Sequence, residues 1–382
     1  MLKNITMTKQ STNPIYLLRF IAAFLILIYH FFPSPLQKQY HFRNLDEAVN
    51  FFFFISGFVM VVSNASFFSG KKAPESFNKA NYWVKRFAKI YPSYFLAFFL
   101  VVLFNYTVKC IYPSIPQRSV FEIFGIQRWL YGGSINFPAW TISIEFFFYM
   151  IFPFTVTWLA NTSIKKVAAL VITVFIFSLI ITTTIGLFFV NRQYSKSANM
   201  VIGTFYRHPI FEYAIFLLGN FCGVCFVRNI SFGITKNILH VILVITSLGV
   251  ISGVIFLLPA PNPLIAAGIL APVYFVFITS ICRLQGGFEK MLSNKLFIFL
   301  GNISFGIYIF QIPVMLFYDH FKGNDNAQLA FETVFDFLKY TFWLITFCCV
   351  IYILYEAPLK NFILKNYKRK IVKNNMRRGK MA

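Results

Sequence analysis

Three ionisable side chains stand in stretches of this sequence that are otherwise apolar. Arg19 and His30 share the first hydrophobic run, and Glu145 falls in the segment 138–146, where a later run begins. A charged or titratable group in hydrocarbon is costly unless it pairs with another group or lines a wet cavity. These three residues are therefore the first candidates for chemistry.

Arg19 and His30 can lie on one face of a helix. Eleven residues at about 100° each return to within roughly 20° of the starting direction, about 16 Å further along the axis. One inward-facing stripe could hold both side chains and line a passage across much of a membrane. Two other interpretations stay open: Arg19 reaches back to the inner headgroups, and His30 is a packing or interfacial residue.

Glu145 is predicted to lie towards the same outer leaflet as His30. A carboxylate at that depth can orient an imidazole and stabilise its charged form, and such a pair can deprotonate a hydroxyl group. The alternative is structural: Glu145 caps the start of its helix together with Ser143 or Thr141.

A membrane-spanning scaffold is needed to hold these residues. Hydrophobic residues make up 58% of the 382 and charged residues only 12%, which is more apolar than a water-soluble chain allows. The sequence predicts an all-α, polytopic integral membrane protein, because its apolar runs have the length that a helix needs to cross a bilayer. Ten spans are predicted, near 15–32, 48–65, 88–109, 141–160, 167–190, 210–228, 237–258, 263–282, 297–317 and 338–357.

The basic residues predict the orientation of these spans. Counted over alternate loops, most Lys and Arg residues fall on the side of the N-terminus, which predicts cytoplasmic termini in a multi-pass inner-membrane protein. Residues 1–360 form the predicted membrane domain and 361–382 a basic cytoplasmic tail. The net charge of +23 is spread over loops, which favours membrane lipids as partners and argues against nucleic acid.

The sequence lacks the motifs of metal, redox, phosphate-binding and serine-hydrolase sites. Of the six cysteines, Cys222 and Cys225 lie in an apolar span without a second pair, so core packing is expected. There is no glycine-rich phosphate loop, nucleophile elbow or zinc-binding helix. We therefore expect no metal and no permanently bound cofactor.

A series of short motifs runs along nearly the whole chain in a fixed order. They are 18–23, 29–31, 53–58, 86–92, 140–145 with 148–149 and 152–153, 211–213 with 218–219, 300–308, and 355–358. In order and spacing they resemble the membrane-bound acyltransferase 3 family, whose members acylate bacterial surface and secreted glycans. The most specific of them is the arginine that precedes a histidine by eleven positions in the first helix.

The resemblance implies roles for individual residues. Arg19 and His30 become the functional pair, and a basic pair at the cytoplasmic mouth of the third helix, Arg86 and Lys89, meets the acyl donor. Without the resemblance, Arg86 and Lys89 would be interpreted as a topology anchor. It also implies acyl-CoA, most simply acetyl-CoA, as the donor substrate and a glycan, free or lipid-linked, as the acceptor. Acceptor recognition would depend on the loops at 33–47, 110–139 and 191–209.

Two positions depart from the family pattern. Lys89 stands where arginine is usual, which keeps the charge but loses bidentate phosphate recognition. Gln311 stands where many relatives have histidine and cannot exchange a proton near neutral pH, so we expect it to make at most a polar contact.

The predicted function is an O-acyltransferase, most simply an O-acetyltransferase, that moves an acyl group from cytoplasmic acyl-CoA to a hydroxyl of a surface or lipid-linked glycan such as O-antigen or exopolysaccharide. Arg19 would hold the donor or polarise its carbonyl, and His30 would act as general base or as an acyl-histidine. One alternative is a transporter or proton-coupled exporter that uses the same charged residues. Another is a glycan-binding membrane protein descended from an inactive relative.

Overall fold

The structure is a computed structural model that describes residues 11–39, 42–68, 77–108, 115–130, 133–191, 205, 207–259, 262–323 and 331–379. Every regular element in those ranges is helical, and nine helices there are long and apolar enough to cross a membrane. This confirms the predicted all-α, multi-pass class. The cytoplasmic position of both termini stays a prediction.

The nine long helices, named in chain order, match nine of the predicted spans. They are α1 (Pro14–Phe31), α2 (Ala48–Val62), α3 (Lys79–Thr107), α4 (Ala139–Asn161), α5 (Ile164–Asn191), α6 (Pro209–Val227), α7 (Asn237–Leu257), α8 (Lys295–Phe321) and α9 (Val334–Ile351). A 3-10 turn, Phe42–Glu47, leads directly into α2. The shorter helices are Ser34–Gln39, Ala65–Phe68, Ile115–Ile123, Gln127–Leu130, Pro263–Ala266, Ala271–Ile281 and Gly287–Leu292.

The predicted span near 263–282 is not one continuous helix. It consists of two short helices, Pro263–Ala266 and Ala271–Ile281, because Gly268 between them has a φ of +83°. A left-handed residue cannot continue a right-handed helix. The prediction of ten continuous spans is therefore wrong at this segment, where hydropathy counts apolar residues but does not register a backbone break.

The last span continues beyond its predicted end. After α9 the chain forms one π-helical turn, Tyr352–Glu356, and then the helix Ala357–Gly379. The predicted basic tail, 361–382, is thus helical through residue 379.

The residues fall into two compact units. Unit 1 comprises Met1–Pro74, Trp158–Phe305 and Leu329–Val334, and unit 2 comprises Glu75–Thr157, Gly306–Gln328 and Phe335–Ala382. Helices α1, α2, α5, α6 and α7 therefore belong to unit 1, and α3 belongs to unit 2.

Helices α2 and α6 of unit 1 are in backbone contact. A Cβ built on Gly57 would lie 2.1 Å from the carbonyl oxygen of Phe216, and one on Gly219 would lie 2.1 Å from that of Phe54. Small residues let two membrane helices approach this closely, and dispersion between the backbones then replaces the hydrophobic effect that lipid removes. Glycine is required at both positions because no side chain fits there.

A buried polar cluster supports the broken helix of unit 1. The Asn50 side-chain amide, fully buried, donates to a Glu47 carboxylate oxygen (2.6 Å) and to the carbonyl oxygens of Ile265 and Ala266 (both 3.2 Å). Arg207 donates to the Asn50 carbonyl oxygen (3.3 Å). The carbonyls beside the break thereby gain donors that regular helix geometry would otherwise supply.

Arg228, one of the basic residues counted above, caps the end of α4, in the part of that helix that belongs to unit 1. Its guanidinium donates to the carbonyl oxygens of Leu159 (3.4 Å), Ala160 (2.5 Å) and Thr162 (3.5 Å) around the end of α4. The last carbonyls of a helix have no intrahelical donor, and a cation near them is favourable. Arg228 therefore has a structural role as well as a place in the charge pattern.

Candidate active site

Arg19 and His30 both lie on α1, in unit 1. The helix begins with Pro14, whose missing N–H is not needed in the first turn, and ends before Pro33. Both side chains are half-buried. Since the helix is continuous from residue 14 to residue 31, their spacing places them on one face as predicted.

The surroundings of the two side chains differ. The His30 ring lies between aromatic neighbours, with ring centroids 5.1 Å from Tyr29 and 5.9 Å from Phe31. Within the described part of the chain, Arg19 has no hydrogen bond or ion pair. A half-buried guanidinium without an acid is suited to meeting an anion or a polarised carbonyl supplied by a ligand.

Arg86 and Lys89 lie on α3, in unit 2. Helix α3 begins at Lys79, nine residues before the predicted span, with the Asn78 side chain accepting from the N–H of Asn81 (2.9 Å). The pair is therefore within the helix rather than before it, and both side chains are half-buried. The Arg86 guanidinium lies over the Tyr82 ring, 5.6 Å from its centroid.

Glu145 lies on α4, in the part of that helix that belongs to unit 2. The Tyr149 hydroxyl, one turn later, donates to its carboxylate (2.8 Å). The helix starts at Ala139, so Glu145 is in its second turn, where backbone N–H groups already have helical acceptors. The capping interpretation of Glu145 is therefore wrong, and its carboxylate is held by Tyr149 instead.

Aromatic contacts fasten α3 to α4. The indole N–H of Trp83 donates to the carbonyl oxygen of Tyr149 (3.1 Å). Ring pairs continue the contact along both helices: Tyr82 with Phe152 (5.4 Å), Trp83 with Phe154 (6.2 Å) and Tyr94 with Phe146 (5.6 Å).

This register fixes the relative heights of the candidate residues in unit 2. Residues 82 and 83 of α3 contact residues 152 and 154 of α4, whereas residue 94 contacts residue 146, so the two helices run antiparallel. Tyr94, five residues after Lys89 on α3, contacts Phe146, and Glu145 directly precedes Phe146 on α4. At about 1.5 Å per residue, the carboxylate level is roughly 7–8 Å along the axis from Lys89. The structure thus brings the basic pair and Glu145 onto neighbouring helices of one unit.

A residue that the sequence analysis missed shapes the chain just before α4. The Glu122 carboxylate, fully buried, accepts from the backbone N–H groups of Ile135 (2.5 Å) and Asn136 (3.0 Å). The Asn136 amide donates in turn to the carbonyl oxygen of Ile309 (2.9 Å). The sequence did contain a signal for Glu122, because it is an acidic residue among apolar neighbours. A buried carboxylate needs hydrogen-bond donors around it.

The two departures from the motif pattern, Gln311 and Lys89, have different neighbours, described here for Gln311 and then for the turn of α3 that follows Lys89. Gln311 is buried and its amide donates to the carbonyl oxygen of Tyr308 (2.8 Å), while the Tyr340 hydroxyl donates to its backbone carbonyl (2.6 Å). These contacts agree with the expected polar role. Near Lys89, the hydroxyl of Ser93, which is one turn later on α3, donates to the carboxylate of Glu356 in the π-helical turn (3.0 Å).

The predicted site residues are thus divided between the units. Arg19 and His30 share α1 in unit 1, whereas Arg86, Lys89 and Glu145 belong to unit 2. The pairing of His30 with Glu145 stays a prediction. Most of the predicted acceptor loop 191–209, and residues 40–41, 110–114 and 131–132 of the other two loops, lie outside the described residues.

Comparison with known proteins adds an independent line of evidence. A family model described as an acyltransferase domain matches residues 15–355 of the 382. Among curated proteins, acyltransferase MdmB of Streptomyces mycarofaciens is 33% identical over 117 residues, which cover 28% of this chain and 27% of the relative. The chain thus aligns with about a quarter of the length of that relative. No solved structure matches.

Proposed function

Because the family model covers nearly the whole chain, the chain belongs to this acyltransferase family, and we propose that it is a membrane-bound O-acyltransferase. The donor is acyl-CoA, most simply acetyl-CoA, and the acceptor is a hydroxyl of a surface or lipid-linked glycan such as O-antigen or exopolysaccharide. Its membrane is the bacterial inner membrane. The observation that carries the proposal is the family match over a helical membrane protein that holds Arg19 and His30 on one continuous helix.

Arg86 and Lys89 supply the attraction for the donor. CoA carries phosphate groups, and two half-buried cations one turn apart on α3 suit such an anion. Lys89 contributes a point charge, and Arg86 adds a planar group seated on the Tyr82 ring. Acyl-CoA is a substrate here, and no permanently bound cofactor is part of the proposal.

His30 performs the proton transfer. Its imidazole takes the proton of the acceptor hydroxyl as the oxygen attacks the thioester carbonyl, the carbon–sulfur bond breaks, and the CoA thiolate recovers the proton. Arg19 stabilises the negative charge that develops on the carbonyl oxygen. Glu145, whose carboxylate accepts from the Tyr149 hydroxyl, remains the predicted partner of the charged imidazole.

An alternative route on the same residues has two steps. His30 attacks the acyl group, CoA leaves, and the glycan hydroxyl then displaces the imidazole. Labelled acyl-CoA supplied without acceptor separates the two routes, because a labelled acyl-histidine forms only in the second. Its detection by mass spectrometry of the α1 peptide would exclude the one-step route.

The function is tested by acetate on cell-envelope polysaccharide. Cells expressing the native chain, His30→Ala or His320→Ala at matched membrane levels are compared by alkali-sensitive acetate release and mass spectrometry. We expect acetate with the native chain and with His320→Ala, whose histidine is exposed at the end of α8, and its loss with His30→Ala. Normal acetylation by His30→Ala would refute the assignment of chemistry to α1.

The donor site has a separate test with a matched control. Lys85 is an exposed lysine one turn before Lys89 on the same helix. We expect Arg86→Ala and Lys89→Ala to raise the KM for acyl-CoA by about tenfold, which corresponds to roughly 1.4 kcal/mol for a lost charge-assisted contact. Lys85→Ala should leave the KM within twofold of native. Equal effects of all three substitutions would argue for a diffuse surface charge instead.

A further inference from the structure

The end of α1, where His30 lies, is followed by two prolines. In a continuing helix the carbonyl oxygen of Tyr29 would accept from the N–H of residue 33, and that of Phe31 from the N–H of residue 35. Both positions are proline, which has no N–H. The carbonyls on either side of His30 therefore cannot obtain their usual donors from the following chain.

Two groups from other segments replace the missing donors. The side-chain amide nitrogen of Gln37 donates towards the carbonyl oxygens of Tyr29 (3.2 Å) and Phe32 (2.7 Å), and it also lies 3.3 Å from that of Ile28, which already accepts from the N–H of Phe32 (3.1 Å). The backbone N–H of Phe331 donates to the carbonyl oxygen of Phe31 (3.3 Å), and the Phe31 and Phe331 rings are 6.4 Å apart. All of these residues belong to unit 1.

The orientation of the Gln37 amide follows from its partners. Three carbonyl oxygens surround its nitrogen, and an amide oxygen in that place would meet acceptors only. In a membrane protein an unpaired carbonyl at a helix end is costly unless it reaches water, so the last turn of α1 depends on this contact for its shape.

We propose that Gln37 is a positioning residue for His30. It closes the last turn of α1 across the two prolines, and so fixes the backbone from which the His30 ring projects. Gln37 does not itself need to touch a substrate. The inference rests on the proposed role of His30 in acyl transfer.

Two substitutions separate hydrogen-bond donation from shape. Gln37→Glu keeps the size of the side chain but replaces the donor by a carboxylate, which repels the three carbonyl oxygens. Gln37→Lys keeps a donor, and a lysine near a helix C-terminus can bond the last carbonyls. Donation is the property tested, so Gln37→Glu should fail and Gln37→Lys should be tolerated.

The first readout is steady-state kinetics on purified protein at matched, monodisperse amounts. We expect Gln37→Glu to lower kcat by about 10- to 100-fold, as expected for a displaced catalytic group, with the KM for acyl-CoA within twofold of native. Gln37→Lys should keep kcat within about threefold. A native kcat for Gln37→Glu, or an equal loss for both variants, would overturn the inference.

A second readout shows whether Gln37 acts through His30. In a His30→Ala background, Gln37→Glu should cause no further loss of the residual rate, because the group that it positions is absent. A full additional loss would mean that Gln37 acts elsewhere in the protein, and would also overturn the inference.

A third readout does not depend on activity. The chain has five histidines, so ring signals of histidine-labelled protein can be assigned to His30 by their loss in His30→Ala. We expect Gln37→Glu to move the His30 signal and Gln37→Lys to restore it, with the other histidines unchanged. If His30→Ala itself acylates normally, the proposed function fails, while this signal still tests Gln37: an unmoved His30 resonance would refute its positioning role.

Discussion

Gly219→Ala is a sharp test of the packing between α2 and α6. A Cβ at this position would lie 2.1 Å from the carbonyl oxygen of Phe54, where ordinary contact begins near 3.4 Å. The obstacle is backbone rather than a side chain, so it cannot rotate away. The two helices must therefore separate locally by about 1.3 Å, with loss of the contacts along their shared face.

The energetic cost follows from that displacement. Overpacking a tight interface costs about 1–3 kcal/mol, and a rigid obstacle places this case at the upper end. Replacing glycine by alanine inside a helix raises the free energy of unfolding by up to about 1 kcal/mol through helix propensity. The expected net effect is a loss of roughly 2 kcal/mol of unfolding free energy.

A matched control separates packing from helix propensity. Gly249 also lies inside a helix, α7, and a Cβ built there meets nothing within 4 Å. Gly249→Ala should therefore gain up to about 1 kcal/mol. The two variants are expected to differ by roughly 3 kcal/mol in opposite directions.

The assay is unfolding in mixed micelles with rising dodecyl sulfate, followed by tryptophan fluorescence on purified protein. Gly219→Ala should unfold at a lower dodecyl sulfate fraction than native, and Gly249→Ala at an equal or higher one. If Gly219→Ala matched Gly249→Ala, the backbone contact between α2 and α6 would be wrong, because no relaxation other than separation relieves it.

Three further predictions concern hydrogen bonds inside each unit. Tyr149→Phe should lower kcat about tenfold without changing the amount of protein, because Glu145 loses its hydroxyl donor, and steady-state kinetics at matched levels measure this. Asn50→Leu should cost about 1–3 kcal/mol of unfolding free energy in mixed micelles, since the Glu47 carboxylate keeps only its Tyr274 donor and the carbonyls of Ile265 and Ala266 lose the Asn50 amide. Arg228→Leu should lower the melting temperature of detergent-solubilised protein by several degrees, because carbonyls around the end of α4 lose their cap.

Each of these predictions has an exposed control, of the same residue type for Tyr149 and Asn50 and of the same charge for Arg228. Tyr106→Phe, Asn361→Leu and Lys165→Leu change exposed side chains and should have little effect on kcat or stability. A control that fell as far as its partner variant would show that the hydroxyl, amide or cation matters only through general solubility.

The membrane class was predictable because it depends on composition summed over many residues. Nine of the ten predicted spans are single helices, since a run of about 20 apolar residues has few alternatives in lipid. The exception, at 263–282, turned on one backbone torsion at Gly268. A hydropathy sum contains no term for that torsion.

Within the candidate site, helical periodicity predicted one relationship correctly. Arg19 and His30 share a face of α1 because both belong to one uninterrupted helix, and the spacing alone decides the angle between them. The structural alternative for Glu145 failed because the true start of α4, at Ala139, lies six residues earlier than that carboxylate. Helix ends are set by local contacts that a hydropathy window blurs.

The sequence by itself determined that this chain crosses a membrane many times, which ionisable residues lie within the spans, and which family it resembles. Only the tertiary structure decided which groups hold those residues: Tyr149 on Glu145, Trp83 between α3 and α4, and Gln37 across the prolines that end α1. The physical reason is the separation along the chain over which each property is determined. Burial and periodicity are properties of a short stretch of chain, whereas a hydrogen-bond partner is chosen by whichever segment folding brings within about 3 Å.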